Sequence, residues 1–384
     1  MPLGSTRCRG LPDAHPPAPI RRGVSLKIVH LIETHTVYSH RLAEAFERKG
    51  HDVHILTFHD RHRSEAHRYH VREIRVPTWE QGLPFSHHWA SLSRILATIR
   101  ELSPDVLHGH YVSTAALYMV LAGATGKVLS AMGSDILLDT RALHARFLVR
   151  RGLRRAHRVI SAADHVTARL QELGVPNGKI RTIPMGVDLA LFHPGVRPIA
   201  QLGDPAIVCT RSLERVYRPD RLVRAMPDVL RGFSAARLVF IGGGSLREPL
   251  EILADKLDVR RAISFVGPVP HEKVPRYLAA ADVYVSASMS DGTSASLLEA
   301  MATGCLPIVT DLPGNRPWVR HASNGLLVPL DEGDGFGRAI LAGLRDAELR
   351  RRASGMNPRI VATRADWQST IARMEQAYRE TLEA

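Results

Sequence analysis

The sequence predicts an α/β fold of two doubly wound parallel-sheet domains facing each other across a cleft. Three observations lead there. Short β-branched runs alternate with amphipathic helical stretches from Leu26 onward, the mark of right-handed crossover units and parallel sheets. The alternation breaks once, in "FHPGVRPIAQLGDP", and then restarts. Of 20 histidines, 18 precede residue 200 and only His271 and His321 follow, so the two series do different work. A length of 384 residues suits two domains better than one core.

In chain order, residues 1–24 carry five prolines and several arginines without an apolar segment, and read as a disordered leader rather than a signal peptide. Residues 25–197 form the first domain. Its strands are "LKIVHLIE", "HDVHILTF", "VREIRVP", "DVLHGH", "KVLSAMG", "RVISAA" and "KIRTIPMG", with helical patterns between most of them, as at Tyr38–Lys49, Trp89–Leu102 and Leu143–Arg155. Residues 204–365 form the second domain, with strands in "AIVCTRSL", "RLVFIGGG", "AISFVGPV", "VYVSAS", "PIVT" and "GLLVP". Residues 366–384 make a last helix that packs back towards the first domain. Ligands of such sheets bind beyond the carboxyl ends of the strands, which places the chemistry in the cleft.

Composition narrows the function classes. The longest apolar run, Ala115 to Ala124, is about half of a bilayer span. Cys8, Cys209 and Cys305 are scattered and read as reduced thiols. The net charge of +13 calls for an anionic partner. Aromatics at 5%, with no zinc-finger or RNA-binding signature, turn that reading from nucleic acid towards a phosphate-bearing small molecule or an anionic membrane.

"SDGTSASLLEAMATG", Ser290 to Gly304, is where a phosphate fits best. Asp291-Gly292-Thr293-Ser294 signals a turn and helix start, followed by an apolar stripe of Leu297, Leu298 and Met301. At such a start the amides of Thr293, Ser294, Ala295 and Ser296 lack helical acceptors and point at an anion, and Gly292 lets the backbone approach it. Glu299 lies about 6–8 Å deeper along the helix, where a carboxylate can grip the paired hydroxyls of a ribose. Asp291, at the mouth, can grip the group carried by the far phosphate. The alternative is a capped helix whose Glu299 pairs with a nearby arginine.

Here the chain resembles the retaining family-4 glycosyltransferases of the GT-B fold. The stretch is similar to their signature of a glutamate, seven residues and a second glutamate. "ATGCLPIVTDLPGNRPWV", "NGLLVPLDE", "KIRTIPMGVDLALFHP" and "NPRIVATRADWQSTIARMEQAYRE" resemble further segments of that family, over nearly all of residues 25–384. The resemblance implies that Glu299 binds the nucleotide ribose and that Asp291, one methylene shorter than the family's glutamate, contacts the sugar. The family's arginine after the first strand of the second domain matches Arg211. Its lysine a few residues on is replaced by Tyr217, leaving Arg218 or Arg215 to supply that charge. "FIGGGSLREPL" resembles its glycine-rich turn, with Gly243 at the centre, either as a ligand contact or as a tight turn alone. No D-x-D pair is present to hold a divalent metal on the diphosphate, so no metal and no cofactor are expected. Arg211, Arg218 and the helix start would offset the leaving-group charge.

The first domain departs further from the family. No glycine-rich turn follows its first strand; His35, Thr36 and Ser39 open the helix there. Met132 occupies a position where relatives carry a histidine, although Gly133, Ser134 and Asp135 keep a polar strand-end loop. His108 and His110 share one side of a strand, either ordering an acceptor or packing as hydrogen-bonded residues. No third ligand sits at motif spacing, so a metal is not expected there. "RALHARFLVRRGLRRAHR" places Arg146, Arg150 and Arg154 at i, i+4 spacing beside Phe147 and Leu148. This is either a solvated basic face or one that rests on an anionic membrane.

The reading is a retaining, metal-independent hexosyltransferase that moves a sugar from a nucleotide-diphosphate donor to a glycan, lipid-linked or small-molecule acceptor. Its expected location is the cytoplasm, with a basic helix able to sit at the inner face of the membrane. A nucleotide-sugar epimerase and a catalytically silent nucleotide-sugar binding protein are the rivals; a donor panel run without and then with acceptors separates all three.

Overall fold

The computed structural model describes residues 25–32, 37–57, 72–75, 85–124, 126–138, 143–200, 202–333 and 335–383. The first sheet holds β1 (Lys27–Ile32), β2 (Asp52–Thr57), β3 (Arg72–Arg75), β4 (Val106–His110), β5 (Gly126–Ala131), β6 (Arg158–Ser161) and β7 (Ile180–Thr182). Its order is β3-β2-β1-β4-β5-β6-β7, with every pairing parallel. The second sheet holds β8 (Ala206–Cys209), β9 (Arg237–Ile241), β10 (Ile263–Gly267), β11 (Val283–Ser286), β12 (Leu306–Thr310) and β13 (Leu326–Val328). Its order is β10-β9-β8-β11-β12-β13, again all parallel.

Central strands such as "AIVC", "VYVS" and "LPIVT" are buried at every residue, because helices cover both faces of a parallel sheet. Helix Pro219–Gly232 shows how the layers meet. Pro219 pre-sets its first turn, and Leu222, Val223, Met226 and Val229 form the stripe that enters the core beside Ile207 and Phe240. Cys209 and Cys305 are buried free thiols.

The chain crosses back at its end. Val187, between the sheets, donates to Ala365 at 2.7 Å and accepts from Trp367 at 2.9 Å. Helix Trp367–Leu382 then lies on the first domain, where Glu375 meets Lys49 at 2.7 Å and Glu380 meets Arg158 at 3.1 Å. In both sheets the connection reverses direction at one place, between β1 and β4 in the first and between β8 and β11 in the second. Such reversals open a crevice at the strand ends. The two crevices face each other.

Candidate functional site

Two adjoining cavities, of about 220 and 170 Å³, share Tyr38, Arg211, Tyr217 and Ala295. Together they run along the cleft, bounded by residues after β1, β4, β8 and β11. Glu299 and His271 line the larger, Asp291 and His110 the smaller.

Arg211 follows β8 and organises the second-domain side. Its Nη2 donates to Asp291 Oδ1 at 2.8 Å, and its Nη1 to the hydroxyls of Ser294 and Ser296 at 3.0 and 3.2 Å. Burial alone would depress its pKa, but Asp291 and the phenols of Tyr217 and Tyr284 push it upward, so the guanidinium stays charged. Tyr217, standing where a lysine was expected from the resemblance, stacks under that guanidinium at 3.9 Å. The position supports the arginine instead of adding a charge.

Helix Ala295–Thr303 is capped by Ser294, whose hydroxyl accepts from the Leu297 amide at 3.3 Å. Its first-turn amides open towards the shared part of the two cavities. Glu299, one turn deeper, pairs with His271 Nε2 at 2.8 Å, and not with an arginine as the capped-helix alternative had it. Asp291 lines the smaller cavity, and its Oδ2 is buried without a hydrogen-bond partner.

Gly292 has two uses: it lines the smaller cavity, and because a Cβ there would lie 2.1 Å from the Met132 carbonyl it also lets the two domains touch. Thr293 donates to the Ala162 carbonyl at 2.5 Å and His165 Nε2 to the Asp291 carbonyl at 3.0 Å, closing that contact from the first domain. Gly243 lines neither cavity, and its carbonyl accepts from the Leu213 amide at 2.9 Å. A Cβ on neighbouring Gly244 (φ +157°) would meet the Leu213 carbonyl at 2.4 Å. The glycine-rich turn therefore braces the Arg211 loop, as the tight-turn reading has it. Arg218 is turned away from Arg211. It forms a two-bond pair with Asp220, at 3.0 and 3.1 Å, and lines a separate depression with Arg215, Arg224 and Met289.

On the first-domain side, His35 lies outside the described residues. Asp135 does not face the cleft: its two oxygens take the amides of Val112, Met132 and Gly133 at 2.8, 3.1 and 2.8 Å, tying the ends of β4 and β5 together. Three backbone donors occupy a carboxylate that the sequence offered to an acceptor. His108 is also turned inward, its nitrogens 2.6 Å from Tyr378 Oη and 2.7 Å from Ser130 Oγ. His110 does reach the smaller cavity. A third histidine, His30 of β1, joins them, its Nδ1 2.9 Å from His110 Nε2, so the missing third ligand comes from across the sheet. Both nitrogens of His108 are engaged by Tyr378 and Ser130, which makes the trio a hydrogen-bonded layer. Burial holds all three neutral, pushing His110 down to about 3 and His30 and His108 well below the usual range.

Arg146, Arg150 and Arg154 lie on helix Leu143–Arg155, whose Phe147 is 69% exposed, away from both cavities. None of the helices among the described residues is long and apolar enough to cross a membrane. Sequence reasoning missed Tyr38, His165, His271 and His30. Only His271 left a signal, as one of two histidines in a half otherwise without them.

Residues 35–191 match the family model described as Glycosyltransferase Family 4, and residues 198–356 that described as Glycosyl transferases group 1. The D-inositol 3-phosphate glycosyltransferase of Acidothermus cellulolyticus is 30% identical over 318 residues, covering 72% of this chain and 67% of that protein. The protein of the same name from Nocardia farcinica is 30% identical over 243 residues; the match covers 59% of this chain but only 53% of that protein's length. Among solved structures, sucrose-phosphate synthase from Thermosynechococcus elongatus superposes with a TM-score of 0.77 at 21% identity, covering 93% of this chain and 99% of that one.

Proposed function

The chain belongs to family 4 of the glycosyltransferases, with the GT-B fold, and from that premise we propose that it transfers a hexosyl group from a nucleotide-diphosphate donor with retention of configuration. In this reading the diphosphate lies on the first-turn amides of helix Ala295–Thr303, beside Arg211. Glu299 takes the ribose hydroxyls, and Asp291 takes a hydroxyl of the sugar. The observation that carries the proposal is Arg211, partly buried, charged and fixed by Asp291, Ser294 and Ser296 before any ligand arrives. A cation that needs no reorganisation stabilises charge developing on a departing diphosphate without a metal.

The acceptor hydroxyl enters from the first-domain side, past Tyr38, Ser39 and His110. His110, held neutral with a pKa near 3, is too weak a base to take its proton at neutral pH. The family resemblance implies the departing phosphate oxygen as the proton acceptor, and we infer the same here. Relatives named for inositol phosphate, together with the net charge of +13, favour a phosphate-bearing polyol, free or lipid-linked, as acceptor. Membrane contact through Arg146, Arg150, Arg154 and Phe147 would suit the lipid-linked form.

The test is a panel of nucleotide sugars incubated without and then with inositol phosphates and lipid-linked sugars. Product is expected only with an acceptor; donor interconversion alone would indicate an epimerase, and binding without turnover a silent protein. Turnover should be unchanged when excess chelator is added and when magnesium or manganese is then restored. Activity lost to chelator and rescued by either ion would overturn metal independence.

A further inference from the structure

His271 sits in the 3-10 turn His271–Lys273 that follows β10, with Pro270 fixing the approach. Its Nε2 is 2.8 Å from Glu299 Oε1, and the two side chains are only 12% and 14% exposed. Behind the imidazole lies Phe192, fully buried, with ring centroids 5.1 Å apart. Both members of the pair line the larger cavity with Arg41, Ser212 and Tyr217.

We propose that His271 is a positioning residue that locks the Glu299 carboxylate and thereby makes the site select ribonucleoside over 2′-deoxyribonucleoside diphosphates. The inference rests on the reading of Glu299 as the ribose ligand. A carboxylate has no proton to give, so the proton of this bond is on His271 Nε2. With one lone pair of Oε1 taken and Phe192 blocking rotation of the ring, the carboxylate plane is fixed before ligand arrives. Oε2 and the second lone pair of Oε1 are left for two further donors. A vicinal diol supplies two O–H groups to two such acceptors. A 2′-deoxyribose supplies one and leaves the other acceptor unmatched beside a carboxylate only 14% exposed, which is how a hydrogen-bonding site rejects an analogue lacking a hydroxyl. A glutamate free to rotate could turn the unmatched oxygen out to solvent, and the discrimination would fall.

Calorimetric titration of the whole protein with uridine, guanosine and adenosine 5′-diphosphates identifies the tightest binder; its 2′-deoxy counterpart is then titrated. In His271→Phe, which keeps the ring against Phe192 but loses the donor, affinity for the ribonucleotide should fall about tenfold, as for loss of one charge-assisted hydrogen bond. The deoxynucleotide should lose much less, so the ratio of the two affinities collapses. His271→Asn, which restores a donor, should recover part of the ratio. With a sugar donor, the loss should fall on KM more than on kcat. An unchanged ratio in a folded His271→Phe overturns the inference, and should that variant not fold, an unchanged ratio in His271→Ala does the same. Glu299→Gln separates the two levels. If it too leaves ribonucleotide affinity intact, the ribose reading itself fails; if it weakens binding while the His271 variants do not, only the role of His271 fails.

Discussion

On the second-domain side, the cleft is faced by a partly buried ion pair, Arg211–Asp291, and by a carboxylate that pairs with His271. On the first-domain side it is faced by Tyr38, Ser39, His110 and Tyr111, and the histidine among them is held neutral by burial. The second-domain wall carries the Arg211–Asp291 pair and Glu299, whereas the first-domain wall carries hydrogen-bonding groups and one cation, Arg41, which pairs with Asp188 at 3.2 Å. The difference suits a reaction in which one substrate brings a diphosphate and the other a hydroxyl, because preorganised charge is useful only where charge develops.

The comparison is tested most severely at Arg211. Arg211→Ala should lower kcat about 10²–10³-fold, the usual cost of removing a preorganised donor to a developing negative charge. It also leaves Asp291 a partly buried carboxylate without its ion-pair partner, so unfolding should become about 1–3 kcal/mol easier. The single variant therefore needs the Arg211→Ala/Asp291→Ala pair beside it. Recovered stability in the double variant, by denaturant unfolding, would show that the stranded carboxylate caused that loss, and turnover well below that of Asp291→Ala alone would assign the remaining rate loss to Arg211.

Asp291→Ala comes next. With Arg211 released from its partner, the bare nucleoside diphosphate should bind as well as before or better. Turnover of the sugar donor should fall about 10–100-fold, because an interaction made as the sugar leaves is read in the rate and not in nucleotide affinity. Asp291→Glu, with its longer reach, should keep activity or change the preferred sugar. Equal losses for nucleotide and sugar donor in the alanine variant would reduce Asp291 to a structural partner of Arg211.

A smaller effect is expected at Glu299. Glu299→Gln should weaken nucleoside diphosphate binding by about 1–3 kcal/mol, measured by calorimetry, as one charged acceptor becomes a neutral amide. Unchanged affinity would move the ribose elsewhere along the cleft.

What could be read from the sequence follows the same division. Every strand run quoted from it forms a strand, since β-branched runs bounded by helices leave few other choices in a parallel sheet. In the second domain, Asp291 and Glu299 stood out by their turn-and-helix pattern and Arg211 by its match to the family's arginine, and the structure sets Arg211 2.8 Å from Asp291 and lines the cavities with all three. The errors arose where a residue type has two uses. Asp135 is polar and follows a strand, as an acceptor ligand would, but three nearby backbone amides claim it first. Gly292 lines the smaller cavity as a ligand-approach glycine would, but the atom a Cβ there would strike is the Met132 carbonyl, remote in sequence and adjacent only across the domain contact. His30 could not be joined to His108 and His110 by spacing, because the register of β1 against β4 sets His30 opposite His108.

The smallest effect on binding, and the one that isolates the first domain, is expected from the histidine layer. Tyr378→Phe removes the hydroxyl that serves His108 Nδ1 and leaves that nitrogen buried without a partner, at a cost of about 1–3 kcal/mol. Tyr378 lines neither cavity, so nucleotide affinity should be unchanged while the thermal transition falls. The layer also gives stability a sign with pH. An unfolded chain protonates its imidazoles near 6.5, whereas folded His110 resists until about 3 and His30 and His108 shift in the same direction. Between those values unfolding takes up protons. Stability contributed by the neutral layer is therefore intact above pH 6.5 and is lost as pH falls towards 3, by about 1.4 kcal/mol per unit for each imidazole that stays neutral. Unfolding followed at pH 7.5, 6.5 and 5.5 should steepen below the middle value, and His110→Asn should flatten that slope. A wild-type curve already flat from 7.5 to 5.5 would mean that the three imidazoles protonate in place, and the neutral histidine layer would no longer stand.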